Sequence, residues 1–374
     1  MKFAILLPIF VFSVCPALCQ KADSAPVPSP APRMQIAILL DTSNSMDGLI
    51  DQAKSRLWTI VNDMATARRG GLPPQLEVAL FEYGKSSLAS GEGYIRCLSP
   101  LSSDLDRLSE QLFSLTTNGG DEYCGWALRS ATDLAWASHP AVYRAIFIAG
   151  NEPFNQGPVD YAAICKAAIA RGIVVNTIFC GDLAEGERSF WKHGAELADG
   201  SYFALDQQQV LAAVHTPYDA RILELGQEMN RTYVGYGPAG GEAKGRQVAQ
   251  DQAAAGVSSE TAVQRTLAKK NEAYSNAQWD VVDAVKSGKL DVASPAAEAV
   301  LPEEMRDLSP EKRKEAVAEM DEKRQELRKE LEGLEDKRRG FLAQQNSGQK
   351  NAFDQLVLTA VRKQAGRLGF SFKE

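Results

Sequence analysis

From Gln35 to Leu40 the chain is an almost unbroken apolar run, and it turns abruptly polar at Asp41-Thr42-Ser43-Asn44-Ser45. Apolar residues without alternation describe a strand buried on both faces, which only a parallel sheet covered by helices on each side provides. Helical spacing follows over Leu49 to Ala65, then a strand over Leu76 to Tyr83. Tyr94 to Leu98 reads as an antiparallel edge strand reached through a glycine-containing hairpin. Ser103 with Asp106 forms a capping-box pattern for a helix to about Leu115, and a second helix spans Trp126 to Ala137. Further strands are expected over Ala145 to Ala149, Ile173 to Phe179 and Ser201 to Ala204. The helices between and after them are expected over Val159 to Ala170, Glu187 to Ala198 and Gln207 to Val214. This alternation predicts an α/β fold: a doubly wound, mainly parallel sheet with one antiparallel edge strand. Right-handed crossovers then bring the loops after Leu40 and Ala149 to one edge of the sheet, although more than a hundred positions separate them.

The two ends of the chain read differently. Lys2, the apolar stretch Phe3 to Val14 and the segment Cys15-Pro16-Ala17-Leu18-Cys19 have the layout of a secretory signal peptide over 1–19, cleaved after Ala17 or Cys19. A lipoprotein anchor is the weaker alternative, because Leu18 stands where a small residue is expected. Residues 20–33 form a Pro/Ala/Ser-rich tether, and the main domain is expected over 34–214. A glycine-rich connector over 215–250 leads to an α-helical region over 251–374. In that region Val317, Met320, Leu327, Leu331, Leu334 and Phe341 make the narrow apolar seam of a coiled coil or helical hairpin, and Phe353 to Val361 is a second amphipathic segment to pack on it. Oligomerisation through these helices is one use for the seam. No later stretch has the length and apolarity of a membrane span, so the expected location is periplasmic or secreted.

A formal net charge of −7 argues against a nucleic-acid partner, which needs a concentrated positive field. Outside the leader four cysteines remain, Cys97, Cys124, Cys165 and Cys180. An even number in an oxidising compartment fits two disulfides, with the pairing open and buried thiols as the alternative. They lack C-x-x-C spacing, which speaks against zinc.

The Asp41 segment supplies one carboxylate and two hydroxyls at alternate positions between a buried strand and a helix. Hard divalent cations take such oxygen donors, and Ser and Asp also serve as ordinary helix caps. An apolar strand ending in Asp-x-Ser-x-Ser, followed by an amphipathic helix, resembles the metal-ion-dependent adhesion site of von Willebrand factor type A (VWA) domains, over about residues 34 to 214. The resemblance implies a Rossmann-like fold, a bound Mg²⁺ (with Mn²⁺ or Ca²⁺ as substitutes) and an open coordination position that an acidic side chain of a partner protein fills. It also implies a Thr from a second loop and an Asp from a third. Here those positions read Asp121, in Thr117-Asn118-Gly119-Gly120-Asp121-Glu122-Tyr123, and Asn151, in Gly150-Asn151-Glu152-Pro153-Phe154. The exchange keeps two carboxylates and five oxygen donors, so the expected metal set is Asp41, Ser43, Ser45, Asp121 and Asn151, with Glu122, Tyr123, Pro153 and Phe154 as the partner-facing rim.

Enzymatic chemistry is poorly supplied. His139, His193 and His215 lie in separate segments without zinc spacing, and Ser43 lacks the G-x-S-x-G turn of a serine hydrolase. A phosphatase forming an aspartyl-phosphate would use an acid where Ser43 stands. The expected function is therefore a non-enzymatic, metal-assisted protein-binding module. Two rivals remain: a metal-free scaffold acting through the C-terminal helices, and a metal-dependent phosphoryl hydrolase.

Overall fold

In the computed structural model, residues 31–47, 50–205, 215–345 and 352–372 are described. The expected leader and the helix expected over Gln207 to Val214 lie outside the described residues. Strand β1 (Arg33–Asp41) is buried from Met34 onward, as its uninterrupted apolar run requires. β2 (Gln75–Tyr83), β3 (Ile95–Ser102), β4 (Tyr143–Gly150), β5 (Val174–Phe179) and β6 (Tyr202–Ala204) complete a six-stranded sheet in the order β3-β2-β1-β4-β5-β6. All pairings are parallel except β2 with β3, the antiparallel edge. The register sets Asp41 beside Tyr83 on one side, and Leu40 beside Ala149 on the other. Since β1 lies centrally with the chain winding outward both ways, the C-terminal ends of β1 and β4 flank the switch point where such sheets bind ligands.

Alternation along the strands divides the core. Ala37, Leu39, Phe81, Ile146 and Ile148 face α3 (Cys124–Thr132), α4 (Tyr161–Ala170) and the short pair α5 (Leu183–Arg188) and α6 (Trp191–Glu196). The last two replace the single helix expected over Glu187 to Ala198, and the break falls where Phe190 takes a left-handed conformation, φ 71°. Ile36, Ile38, Leu40, Val78, Leu80 and Phe147 face the opposite way, towards α1 (Ile50–Ala65) and α2 (Leu105–Phe113). Asp104, not Ser103, caps α2 by accepting from the Arg107 amide. Asp106, expected in that cap, is instead buried.

Residues 215–250 are not a connector. They hold α7 (Asp219–Asn230) and α8 (Gly240–Val257), and with α9 (Ser259–Ala268), α10 (Val281–Lys286), α11 (Glu303–Arg306), α12 (Pro310–Gln345) and α13 (Ala352–Gly366) they belong to one compact unit from Pro32 to Glu374. Trp58, Val61 and Met64 of α1 share a core with Ile222, Leu225 and Met229 of α7, Val263 and Leu267 of α9, and Val357 and Val361 of α13. Helix α9 packs on α1, and α8 on α2. The expected seam of α12 is covered within the chain: Leu327 and Leu331 enter the same core, and the helix lies on α7, α9 and α10. Helix α13 packs on α1 and β6, and its Val357 and Val361 lie in the same core as Leu327 and Leu331 of the seam.

Buried polar links fix these layers. Asp106 accepts from Arg265 Nη2 at 2.6 Å and from the Tyr274 hydroxyl at 2.7 Å, while Arg265 Nε donates to Asp251 at 2.9 Å. The Tyr143 hydroxyl donates to Gln364 at 2.8 Å, which ties β4 to α13. Fully buried Arg324 donates to Asp280 and Asp283 at 2.9 Å each and to the Thr232 carbonyl at 2.7 Å, and it lies 3.9 Å over the Tyr233 ring.

None of the four cysteines is disulfide-bonded, which corrects the expectation of two bridges. Cys97 is exposed on β3, whereas Cys124 and Cys165 belong to the core on one face of the sheet and Cys180 to that on the other. Among the described residues no helix is long and apolar enough to cross a membrane.

Two outcomes follow from this packing. Arg324→Met leaves two buried carboxylates without their cation and should cost about 3–5 kcal/mol in equilibrium chemical unfolding. A chain ending at residue 214 uncovers the outer side of α1 and is expected to aggregate on size-exclusion chromatography; a monodisperse truncation with the parent's melting temperature would show the helical cover to be dispensable.

Candidate functional site

Three loops converge at the C-terminal ends of β1, β2 and β4. Asp41, the last residue of β1, is completely buried, and so is Thr42, whose hydroxyl donates to the Tyr83 carbonyl at 3.2 Å. The chain then turns back on itself: the Ser43 amide donates to Asp41 Oδ1 at 2.8 Å. This turn places the Ser43 and Ser45 hydroxyls 2.8 Å apart, and Ser45 Oγ donates to Asn151 Oδ1 at 2.9 Å. Four of the five expected donors, Asp41, Ser43, Ser45 and Asn151, thus form one connected group.

Asp121 does not join them. Among the described residues it makes no hydrogen bond or ion pair with that group; it is exposed, and it lies beside the Tyr94 hydroxyl, whose pKa is raised by desolvation and by this carboxylate. The next residue, Glu122, is the acid drawn inward, with only 6% of its surface exposed. A Cβ built on Gly84 would stand 2.8 Å from Asp41 Oδ1 and 2.9 Å from Glu122 Cγ, so the two acids close over a glycine that has no room for a side chain. Gly84 also has φ +81°, a conformation that L side chains rarely adopt.

The second loop is held to the first by its backbone. The Asn118 amide donates to the Thr42 carbonyl at 2.9 Å, and the Ser86 amide to the Gly119 carbonyl at 2.5 Å. On the β4 side, a Cβ on Gly150 would meet the Tyr83 hydroxyl at 2.5 Å and Asp41 Oδ2 at 3.1 Å, so glycine is required there for space. The Tyr83 hydroxyl donates to the Ala149 carbonyl at 2.9 Å. Asp41 Oδ2 is left buried without a hydrogen-bond partner.

The expected rim is only partly a rim. Pro153 is exposed and Tyr123 half-buried, its ring set edge-on to Tyr94 with centroids 5.6 Å apart. Phe154 is a core residue stacked 4.8 Å from Trp191, and Glu122 belongs to the interior of the site. Glu152 is not among the expected participants, yet its charge acts on both Asp41 and Glu122. No sequence signal distinguishes Asp121 from Glu122, since the loop leading to α3 has no periodicity. Among the described residues no three His, Cys, Asp or Glu side chains group as a metal-ligand cluster. Any cation here would therefore rest on a mixed set of hydroxyl, amide and carboxylate oxygens.

Electrostatics mark the same spot. Burial pushes Asp41 up from 3.8 to about 6, with Glu152 adding to the rise, against the lowering effect of the Ser43 amide and hydroxyl and the Asn151 amide. Burial likewise pushes Glu122 up from 4.5 to about 7, helped by the charges of Asp41 and Glu152. An oxygen-only site with one buried carboxylate oxygen unpartnered and a second acid across Gly84 from Asp41 fits the donor chemistry of a hard divalent cation.

No family model matches the chain, and no curated protein matches it. Among solved structures, it is similar to the conserved hypothetical protein BatB from Bacteroides thetaiotaomicron, at 19% identity and TM-score 0.36, over 46% of this chain and 90% of that one. It is similar to the SpRpn10 VWA domain at 15% identity and TM-score 0.35, over 48% and 91%. The pilus adhesin SpaC from Lactobacillus rhamnosus GG, in its open conformation, matches at 12% identity and TM-score 0.36, over 48% and 28%.

The raised acids give a signed pH dependence. Their folded-state pKa values exceed the unfolded ones, so the folded chain retains protons that the unfolded chain releases between about pH 4 and 7. The stability they contribute is present below pH 4 and is lost as pH rises through 6 to 7. In metal-free buffer, the stability of Asp41→Asn relative to the parent should therefore climb across that window. A difference that stays flat from pH 4 to 7 would contradict it.

Proposed function

We propose that this chain is a secreted, non-enzymatic protein-binding module that captures an acidic side chain of a partner protein through a divalent cation. The observation that carries the reading is the buried, unpartnered Oδ2 of Asp41 beside the oxygens of Ser43, Ser45 and Asn151. A carboxylate oxygen sealed from water without a donor is costly, and a bound Mg²⁺, Mn²⁺ or Ca²⁺ would relieve it. Asp41, Ser43, Ser45 and Asn151 would hold the ion directly or through water. When bound, the ion supplies a concentrated positive charge to which an outside carboxylate can attach.

Catalysis is not part of this reading. The two hydroxyls are hydrogen-bonded to one another and to the Asn151 side chain, and no histidine lies in that group. His193 is engaged with the Tyr161 hydroxyl at 2.8 Å, and the Ala141 amide donates to His139 at 3.2 Å. Turnover of a generic phosphate ester in Mg²⁺ would overturn the exclusion.

One observation favours the metal-free scaffold as the second reading: hydrogen bonds among the Ser43, Ser45 and Asn151 side chains tie the first loop to the third. Calorimetric titration with Mg²⁺ and Mn²⁺ separates the two. Binding heat in the parent and none in Asp41→Ala is expected, together with partner capture from envelope extract that EDTA and Asp41→Ala both abolish. Absent heat in the parent, with capture unaffected by EDTA, would replace the cation mechanism by the scaffold.

A further inference from the structure

We infer that Glu122 is an internal ligand of the cation, filling from within the chain a coordination position that an outside acid would otherwise take. This rests on the cation reading above and adds to it a residue and a state: a site closed by its own carboxylate, which a partner's acid must displace.

Adjacent acids in one loop have opposite fates. Asp121 stays in solvent beside Tyr94, while Glu122 is buried against Asp41. Among the described residues the Glu122 carboxylate has no ion-pair partner; its own backbone amide lowers its pKa, and the side chains whose charges act on it are Asp41, Glu152 and Asp121, all acidic. Burying a carboxylate against another carboxylate is unfavourable on both counts, lost hydration and like charge. A cation lying between them reverses both terms.

The backbone is arranged to permit this approach. Gly84 leaves open the space between Asp41 and Glu122 that a side chain would fill, and its positive φ keeps other residues out. A Cβ on Gly120 would fall 2.1 Å from the Gly84 carbonyl, so the loop carrying Glu122 sits directly on the loop carrying Gly84. Glu122 immediately precedes Tyr123 and helix α3, whose first turn is anchored in the core by Cys124. Its backbone is therefore fixed on the helix side, and only the side chain need swing for an incoming carboxylate to replace it.

The test uses Mn²⁺ alone with the full-length protein, reading affinity and the water-proton relaxation produced by each bound ion. Glu122→Ala should weaken Mn²⁺ on the order of tenfold or more, given that even outer-shell partners of metal sites contribute about 10- to 100-fold. The same variant should raise the relaxation per bound ion, because water takes the position the carboxylate leaves. Asp121→Asn should change neither. Glu122→Gln, which keeps the volume, guards against a variant that fails to fold and should lower affinity in the same direction. Mn²⁺ binding that Glu122→Ala and Glu122→Gln leave unaltered in affinity and relaxation would overturn the assignment of Glu122 while the cation site stands. No Mn²⁺ binding by the parent would overturn both.

Discussion

The carboxyl of Asp41 is buried where the sheet changes direction, and the rest of the structure is arranged around that fact. A central strand apolar on both faces has nowhere to place a charged group except at its end, where parallel neighbours stop and loops begin. There Asp41 is held by the turn that follows it, with Ser43 donating back at 2.8 Å, and is hemmed in by two glycines, Gly84 from the loop after β2 and Gly150 from β4. A side chain at Gly84 would collide with the carboxyl, and one at Gly150 would collide with the Tyr83 hydroxyl and crowd the carboxyl, so Asp41 constrains the ends of both neighbouring strands as well as β1. Three loops distant in sequence become one site because one small acid needs all of them for walls.

The second constraint is the apolar width of α1. Trp58, Val61 and Met64 of α1 lie in one core with strand residues such as Ile36 and Leu80 and with residues of α7, α9 and α13. A helix apolar over more than one stripe has to be covered twice. The C-terminal helices are that second cover, and polar groups on them bond back to the sheet domain: buried Arg265 to Asp106, buried Gln364 to Tyr143, and half-buried Arg362 to Asp63. The long α12 uses its narrow seam for the same task. Its high charge is the solvent side of a helix lying on others, which composition alone reads as a detached arm.

Strands are legible in the sequence because burial on both faces leaves a pattern in the residues themselves, and the sheet with its antiparallel edge follows from that pattern. The first loop is legible for a related reason: Asp41, Ser43 and Ser45 are held by local geometry within one turn. What escapes such reasoning is side-chain direction where no period exists. Asp121 and Glu122 are chemically alike and adjacent, and the choice between them is made by Gly84 and Tyr94, far away in the chain. Phe154 has the position of a rim residue but the partners of a core residue, Trp191 and Tyr161. The 215–250 stretch misleads through its glycines, of which Gly235 and Gly240 are in tight backbone contact, an arrangement of packing and not of looseness. Even the cysteine count misleads: Cys124 and Cys165 are core residues on one face of the sheet, Cys180 on the other, Cys97 is exposed, and none is bridged.

Buried charge is treated in two ways within this one molecule, and the contrast separates structure from function. At the helical cover, Arg265, Arg324 and Arg338 each reach buried or half-buried carboxylates: Arg265 to Asp106 and Asp251, Arg324 to Asp280 and Asp283, Arg338 to Asp219. Those assemblies are neutralised from within and hold helices together. At the sheet edge the same chain buries Asp41 and Glu122 against one another with no basic side chain between them. A sequence able to pair its buried acids so thoroughly elsewhere has left this pair without a counter-charge. Single buried polar atoms lack partners elsewhere too, Glu82 Oε2 and Arg265 Nη1 among them, but those side chains belong to ion pairs, whereas Asp41 and Glu122 have only acids beside them.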